Sequence, residues 1–216
     1  MLRDLLLAAF IVGSVSAKEG PWIPLFDGKS LAGWTSDNGG KPGEGWKVED
    51  GALHRTGKKP GNLISEKEYK DFEFEFEWKI SAKGNSGVKY RVQKSAGGWL
   101  GPEYQVLDDK GHPNGKVADT TAASLYEVVP AAKDKELKPV GEWNTSKIVA
   151  KGSVLEHWLN GKLALKIDTK GKEWPTLKKD SKFAKFDDFA GPAAGKLLLQ
   201  DHDDEVWFRN LRIREL

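Results

Sequence analysis

The chain contains no cysteine among its 216 residues. That removes disulfides, a lipid-acylated cysteine anchor and thiolate chemistry together. Charge of one sign is lacking as well. Against 34 Lys and Arg stand 32 Asp and Glu, a formal net charge of +2, and the basic residues are scattered rather than clustered, so there is no electrostatic footprint for nucleic acid. No apolar run reaches the roughly 20 residues that a helix needs to span a bilayer. No Gly-x-Gly-x-x-Gly lies between a strand and a helix, so no nicotinamide site is expected. No pair of histidines falls at metal-motif spacing, which leaves a metal unassigned. Nor does any 20–50-residue period repeat, which argues against propellers and solenoids.

The residues present are those of a globular protein, with 38% hydrophobic and 31% charged side chains. The length suits one domain with an ordinary core. Nine Trp and 24 Gly fit a β-rich chain with tight turns, and exposed Trp or Tyr would suit a sugar-binding surface. The first residues, MLRDLLLAAFIVGSVSA, read as an export signal. Arg3 supplies the basic start, Leu5 to Val12 the apolar run, and Val15-Ser16-Ala17 the small residues at a cleavage site. Cleavage is expected after Ala17, leaving 18–216 as a single exported domain, periplasmic or extracellular.

Turn signals cut that domain into about a dozen short strands with no long amphipathic helix, the pattern of an all-β antiparallel β-sandwich. Asp50-Gly51 and Asn160-Gly161 are hairpin turns. Strands are expected at 71–80, 88–93, 103–107, 124–128, 147–150, 154–159, 162–167, 196–200 and 206–213, with a short helical turn around 183–189.

Two sets of polar residues compete as the seat of chemistry. In DFEFEFEWKI, residues 71–80, Glu73, Glu75 and Glu77 recur at two-residue spacing. Same-face neighbours on a strand lie about 6.6–6.8 Å apart, within the reach of paired glycosidase carboxylates. Alternation alone also explains them as the wet face of a strand whose other face is core. The second set is spread over several strands. Parity aligns Asn85 with Arg91, Glu103 with Gln105, Glu142 with Asn144, and Gln200 with His202. Asp108 and His112 follow on the loop after the Glu103 strand. Gathered on one face, such side chains would form a groove that reads sugar hydroxyls. His157 reads as structural.

In order along the chain, the stretches LFDGKSLAGW (25–34), 46–53, 72–91, GPEYQVLDD (101–109), GEWN (141–144), 157–161, SKF (181–183), LQDH (199–202) and FRNLRI (208–213) resemble the 3-keto-disaccharide hydrolase domain family. One position departs: the family has Gly after the His of its Leu-Gln-Asp-His segment, and here Asp203 stands there. The resemblance implies a concanavalin-like jelly roll, with the DFEFEFEW strand as framework. It also implies a distinct chemistry. A ketone at C3 acidifies the C2 hydrogen, a base removes it, and the glycosidic oxygen leaves C1 by elimination, with or without later hydration. On this reading His202 or Glu103 is the base, Arg91 and Gln105 stabilise the enediolate, and Glu142 serves the leaving oxygen. Asn85, Asp108, His112, Asn144 and Gln200 bind substrate, and a divalent ion has room to share the stabilising role. The keto sugar would come from a separate sugar 3-dehydrogenase. A non-catalytic carbohydrate-binding module, a conventional endoglucanase built on Glu73–Glu77 and a purely structural sandwich are the other classes open to such a chain.

Overall fold

The computed structural model describes residues 20–57, 59–95, 98–191 and 193–216; the expected export signal and its cleavage site lie outside the described residues. The strands are β1 (Ile23–Pro24), β2 (Trp34–Ser36), β3 (Trp46–Glu49), β4 (Ala52–Arg55), β5 (Leu63–Tyr69), β6 (Phe72–Ile80) and β7 (Asn85–Ser95). They continue with β8 (Gly98–Leu100), β9 (Glu103–Leu107), β10 (Asn144–Lys151), β11 (Val154–Leu159), β12 (Lys162–Asp168), β13 (Gly195–Leu199) and β14 (Val206–Glu215). Among the described residues a single α-helix, α1, covers Trp174–Lys179. No helix among the described residues is long and apolar enough to cross a membrane.

Two antiparallel sheets result. The first runs β12-β11-β10-β6-β14-β4-β3, with β1 added on β14; the second runs β2-β5-β13-β7-β8, with β9 added on β7. The hairpin turns form where the sequence marks them. Asp50 and Gly51 sit at φ 50° and 73°, Asn160 and Gly161 at 49° and 81°, the left-handed pairs that a two-residue hairpin requires. The segment expected as a strand at 124–128 makes only isolated bridges, Leu125 to Tyr104 and to Val129. The helix lies before the expected position, where a proline at the first turn can seed it. Residues 183–189 instead form consecutive turns, closed by Phe186 N–H to Phe183 O and Phe189 N–H to Phe186 O.

Alternation in β6 sends Phe72, Phe74, Phe76, Trp78 and Ile80 into the core. There they meet Val88, Tyr90, Tyr104, Val106, Leu197 and Leu199 of the second sheet. Each such side chain contributes about 1.5–3 kcal/mol of burial. The opposite face of β6 carries the glutamates, and each meets an arginine of β14. Arg214 Nε donates to Glu73 at 2.7 Å, Arg212 Nε to Glu75 at 2.8 Å and Arg209 Nε to Glu77 at 2.8 Å. This is a cross-strand ion ladder, and it leaves no carboxylate free to act as an endoglucanase acid or nucleophile.

Polar struts cross the core. Ser146 Oγ accepts the Trp78 indole N–H at 2.8 Å and shares a 2.7 Å bond with the Tyr104 hydroxyl. His157, fully buried, faces the Ala123 carbonyl through Nδ1 at 3.0 Å and the Tyr90 hydroxyl through Nε2 at 2.9 Å. A carbonyl only accepts, so Nδ1 carries the proton and Nε2 receives the tyrosine O–H.

At the far end of β7 the register slips. Lys196 pairs with Val92 and Leu198 with Lys89, so β7 holds one residue more than β13, and Arg91 takes φ 48° in the resulting bulge. Parity expects Arg91 on the same face as Asn85. The bulge turns it instead toward the first sheet, where its guanidinium donates to Lys70 O at 2.6 Å, Gly152 O at 2.9 Å and Asp71 at 3.0 Å.

Two stability outcomes follow from these buried groups. Burial lowers the His157 pKa from 6.5 to about 4. As pH falls below 6.5 the unfolded chain therefore binds a proton that the folded chain refuses, and stability is lost toward pH 4. Between pH 7 and pH 5 the loss is about 2 kcal/mol. Urea titrations at the two pH values should show it in the parent and a flatter response in His157→Gln. Arg91→Ala strips partners from two backbone carbonyls and Asp71, and should cost about 3 kcal/mol in the same titration; a neutral result would remove its role as a strut.

Candidate active site

The outer face of the second sheet gathers the remaining polar residues. Strand pairing sets Lys89 opposite Glu103, Gly87 opposite Gln105 and Asn85 opposite Leu107. Cross-strand partners share a face, so Asn85, Lys89, Glu103 and Gln105 stand together while Val88, Tyr90, Tyr104 and Val106 point into the core. The end of β13 joins them, since Gln200 N–H donates to Gly87 O at 2.9 Å.

Glu103 is the centre. It is 5% exposed, and burial raises its pKa, against the pull of Lys89, Lys182 and His202 in the opposite direction. Lys89 Nζ lies 3.5 Å from Oε2. The carboxylate is pressed onto the backbone of Gly87, where a Cβ would come within 2.4 Å of Oε1. Only glycine leaves that space. Gln105, oriented to satisfy its neighbours, donates from its amide NH2 to Glu103 Oε1 and to Ser86 O, both at 3.2 Å. Its carbonyl then faces the Asn85 Oδ1 position at 3.1 Å, so Asn85 must turn its NH2 there to donate, and the other end of the Asn85 amide meets His202 Nε2 at 3.5 Å. A chain of polar contacts thus runs from a buried carboxyl group to an exposed imidazole.

The loop bearing His202 is held from below. Arg55, 1% exposed, donates through Nε to Asp201 at 2.5 Å and reaches Asp203 at 3.4 Å. Asp201 also accepts the Gly61 N–H at 3.0 Å, and Asp204 accepts the Asn85 N–H at 2.9 Å. Asp203 has φ 67°, so it adopts the left-handed backbone that glycine favours. The departure at this position therefore preserves the turn, with an ion pair to Arg55 in compensation.

Two loop residues complete the surroundings. Tyr126 N–H donates to Glu103 O at 3.1 Å, and its phenol pKa is pushed up to about 12, first by burial and then by Glu127. Lys182 Nζ sits 4.2 Å over the Tyr126 ring and 3.2 Å from Glu127. Lys89 carried a usable sequence signal, the same parity that selects Asn85. Tyr126 and Lys182 come from loops, where strand parity says nothing.

Five expected residues lie elsewhere. Arg91 is the strut described above. Glu142 and Asn144 belong to the first-sheet side, in a separate 960 Å³ cleft that Asp108 also lines. Asn144 Oδ1 accepts Lys138 N–H at 2.9 Å and Asn160 Nδ2–H at 3.0 Å. Asp108 accepts the Lys83, Lys110 and Gly111 N–H groups at 2.8, 3.1 and 3.0 Å, fixing two loops. His112 caps the turn Pro113–Lys116, its Nδ1 accepting Asn114 N–H at 3.1 Å. Parity expects Glu142 and Asn144 on one strand face, but β10 begins only at Asn144, which is buried, and Glu142 lies exposed in the bend before it.

No group of three or more His, Asp or Glu side chains placed to hold a metal occurs among the described residues. Around Glu103 the chain offers one carboxylate and one imidazole, with the carboxylate already facing Lys89. That falls short of a metal shell built from protein alone.

A carboxyl group whose pKa burial raises, two ammonium groups and an accessible imidazole can exchange protons with a substrate and stabilise developing negative charge. Comparison with known proteins agrees in placing this fold among carbohydrate-active ones. The chain is 35% identical, over 231 aligned positions, to a 3-keto-disaccharide hydrolase of Bacteroides thetaiotaomicron, covering 90% of this chain and 78% of that one. A Parabacteroides distasonis crystal structure, provisionally named a glycosyl hydrolase, superposes with TM-score 0.80 at 33% identity, covering 91% and 94% of the two chains. A second, provisionally named alike and from the same organism, superposes with TM-score 0.70 at 26% identity, over 91% and 100%. Residues 21–214 match the family model described as a 3-keto-alpha-glucoside-1,2-lyase-like domain, and the chain belongs to that family.

Proposed function

We propose that the protein is an exported enzyme that cleaves 3-keto-glycosides by elimination across C1 and C2. The observation that carries this reading is the buried Glu103 carboxyl, flanked by Lys89 and linked through Gln105 and Asn85 to His202. The name of the B. thetaiotaomicron relative supports the substrate class, and the N-terminal signal pattern supports export. A separate oxidoreductase supplies the ketone, since the chain carries no dinucleotide fingerprint.

The C3 ketone makes the C2 hydrogen acidic. His202, exposed at the end of its anchored loop, takes that proton. The electron pair of the C2–H bond passes into the C2–C3 enediolate, where Lys89 and Lys182 offset the charge on oxygen. Collapse of the enediolate restores the C3 ketone, forms C1=C2 and breaks the bond to the glycosidic oxygen. Glu103, whose pKa burial raises, delivers a proton to the departing oxygen. The products are the leaving alcohol and a 1,2-unsaturated keto sugar, and addition of water to the latter gives the free 3-keto sugar. The lysine pair and single acid replace the two opposed carboxylates of ordinary glycoside hydrolysis.

Residues 18–216 mixed with a chromogenic 3-keto-glucoside and with its unoxidised parent should release chromophore from the keto compound alone. Equal release from the parent would overturn the elimination route, and binding without release from either would make the domain a carbohydrate-binding module. His202→Ala and Glu103→Gln should each lower kcat by about a hundredfold or more. Gly87→Ala tests the geometry without touching an ionisable group. Its Cβ displaces the Glu103 carboxylate, and kcat should fall by about a hundredfold with the fold intact by circular dichroism. Normal turnover in that variant would take Glu103 out of the mechanism.

A further inference from the structure

The face that carries Glu103 does not end at the polar residues. Pairing places Glu103 opposite Lys89, Lys89 opposite Leu198, and Leu198 opposite Ile64. These four side chains form one row across four adjacent strands, polar at one end and apolar at the other. Ile64, Val92 and Leu198 make a small apolar cluster separate from the inter-sheet core, and Trp99 packs on it. An apolar cluster on the outer face of a sheet has no second layer to bury it, and here the half-buried Trp99 ring is its cover. The indole N–H donates to Asp37 O at 2.8 Å, which fixes the ring to the β2 side of the face. Successive strands lie about 4.8 Å apart, so Leu198 stands about 10 Å from Glu103 and Ile64 about 14 Å.

We infer that Trp99, set over Ile64, Val92 and Leu198, is the platform for the leaving sugar of a 3-keto-disaccharide. The inference rests on the keto-glycoside reading of the Glu103 site. The direction follows from what closes the other side. Beyond Glu103, the outer edge of β9 is bridged by Leu125 to Tyr104, and Tyr126 is bonded to the Glu103 carbonyl. A sugar whose C1 and C2 lie at Glu103 and His202 therefore meets a loop on the β9 side. The row of sheet surface away from that loop leads to Leu198 and Trp99. The apolar C–H face of a pyranose matches a fixed indole ring, while its hydroxyls stay in water. A compact aglycone such as methyl cannot reach that far across the row.

The test compares two substrates that share the 3-keto-glucosyl unit, a 3-keto-disaccharide and methyl 3-keto-glucoside. In Trp99→Ala, kcat/KM for the disaccharide should fall about tenfold, while that for the methyl glycoside should stay within about twofold. Trp99→Phe should recover part of the loss, since it restores an aromatic face without the indole N–H. An equal fall for both substrates would make Trp99 a structural cover only, and no fall for either would remove the platform; both outcomes overturn the inference while leaving the activity standing. Wild-type protein that turns over neither keto compound would overturn the underlying reading, and the inference with it.

Discussion

The hydrogen bond from the Tyr90 hydroxyl to the neutral ring of His157 ties the two sheets at a fixed depth, 2.9 Å from oxygen to nitrogen in a site without solvent. It holds only while the imidazole is uncharged and its Nδ1 proton is engaged by the Ala123 carbonyl. The neighbouring bridge from Tyr104 through Ser146 to Trp78 acts in the same way on β9. Because side chains alternate along a strand, anchoring Tyr90 and Tyr104 inward fixes Lys89 and Glu103 outward. The polar core and the outer site are thus two faces of one constraint.

Glutamates occur on the outer faces of both sheets, and what surrounds them separates their roles. Glu73, Glu75 and Glu77 are partly exposed, and each meets an arginine, so they contribute little beyond strand pairing. Glu103 is almost fully covered, has a lysine at 3.5 Å and lies against a glycine backbone. Desolvation there favours the neutral acid. The residue type is common to the two faces, while the chemistry is set by burial and by the geometry of the cation.

Much of the fold was legible in the sequence because it depends on local rules. The alternation of β6, the Asp-Gly and Asn-Gly turns and the structural role of His157 all follow from spacing and turn stereochemistry. The site was legible in part. Asn85, Glu103, Gln105, Gln200 and His202 come together as parity and the family resemblance imply, and the glycine position occupied by Asp203 keeps its left-handed turn. Arg91 did not follow. A bulge that places a non-glycine residue at positive φ leaves no mark in the pattern of residue types, and one extra residue reverses the face of everything after it. Lys182 and Tyr126 arrive on loops, whose paths depend on tertiary packing.

The displacement of Arg91 alters what the site can be asked to do. With the arginine at the groove, the enediolate would have a rigid, fully charged fork beside it. With Arg91 bound to Asp71 and two carbonyls at the opposite end, the proposed mechanism draws that charge from lysines. Lys89 is partly exposed and mobile about a four-carbon stem, and its contact with Glu103 at 3.5 Å is loose. A loose pair suits the acid role proposed for Glu103, because a tight ion pair would favour its carboxylate. The bulge therefore does more than close the end of the sandwich: by removing a guanidinium from the Glu103 face, it leaves Lys89 as the cation that faces this carboxyl group.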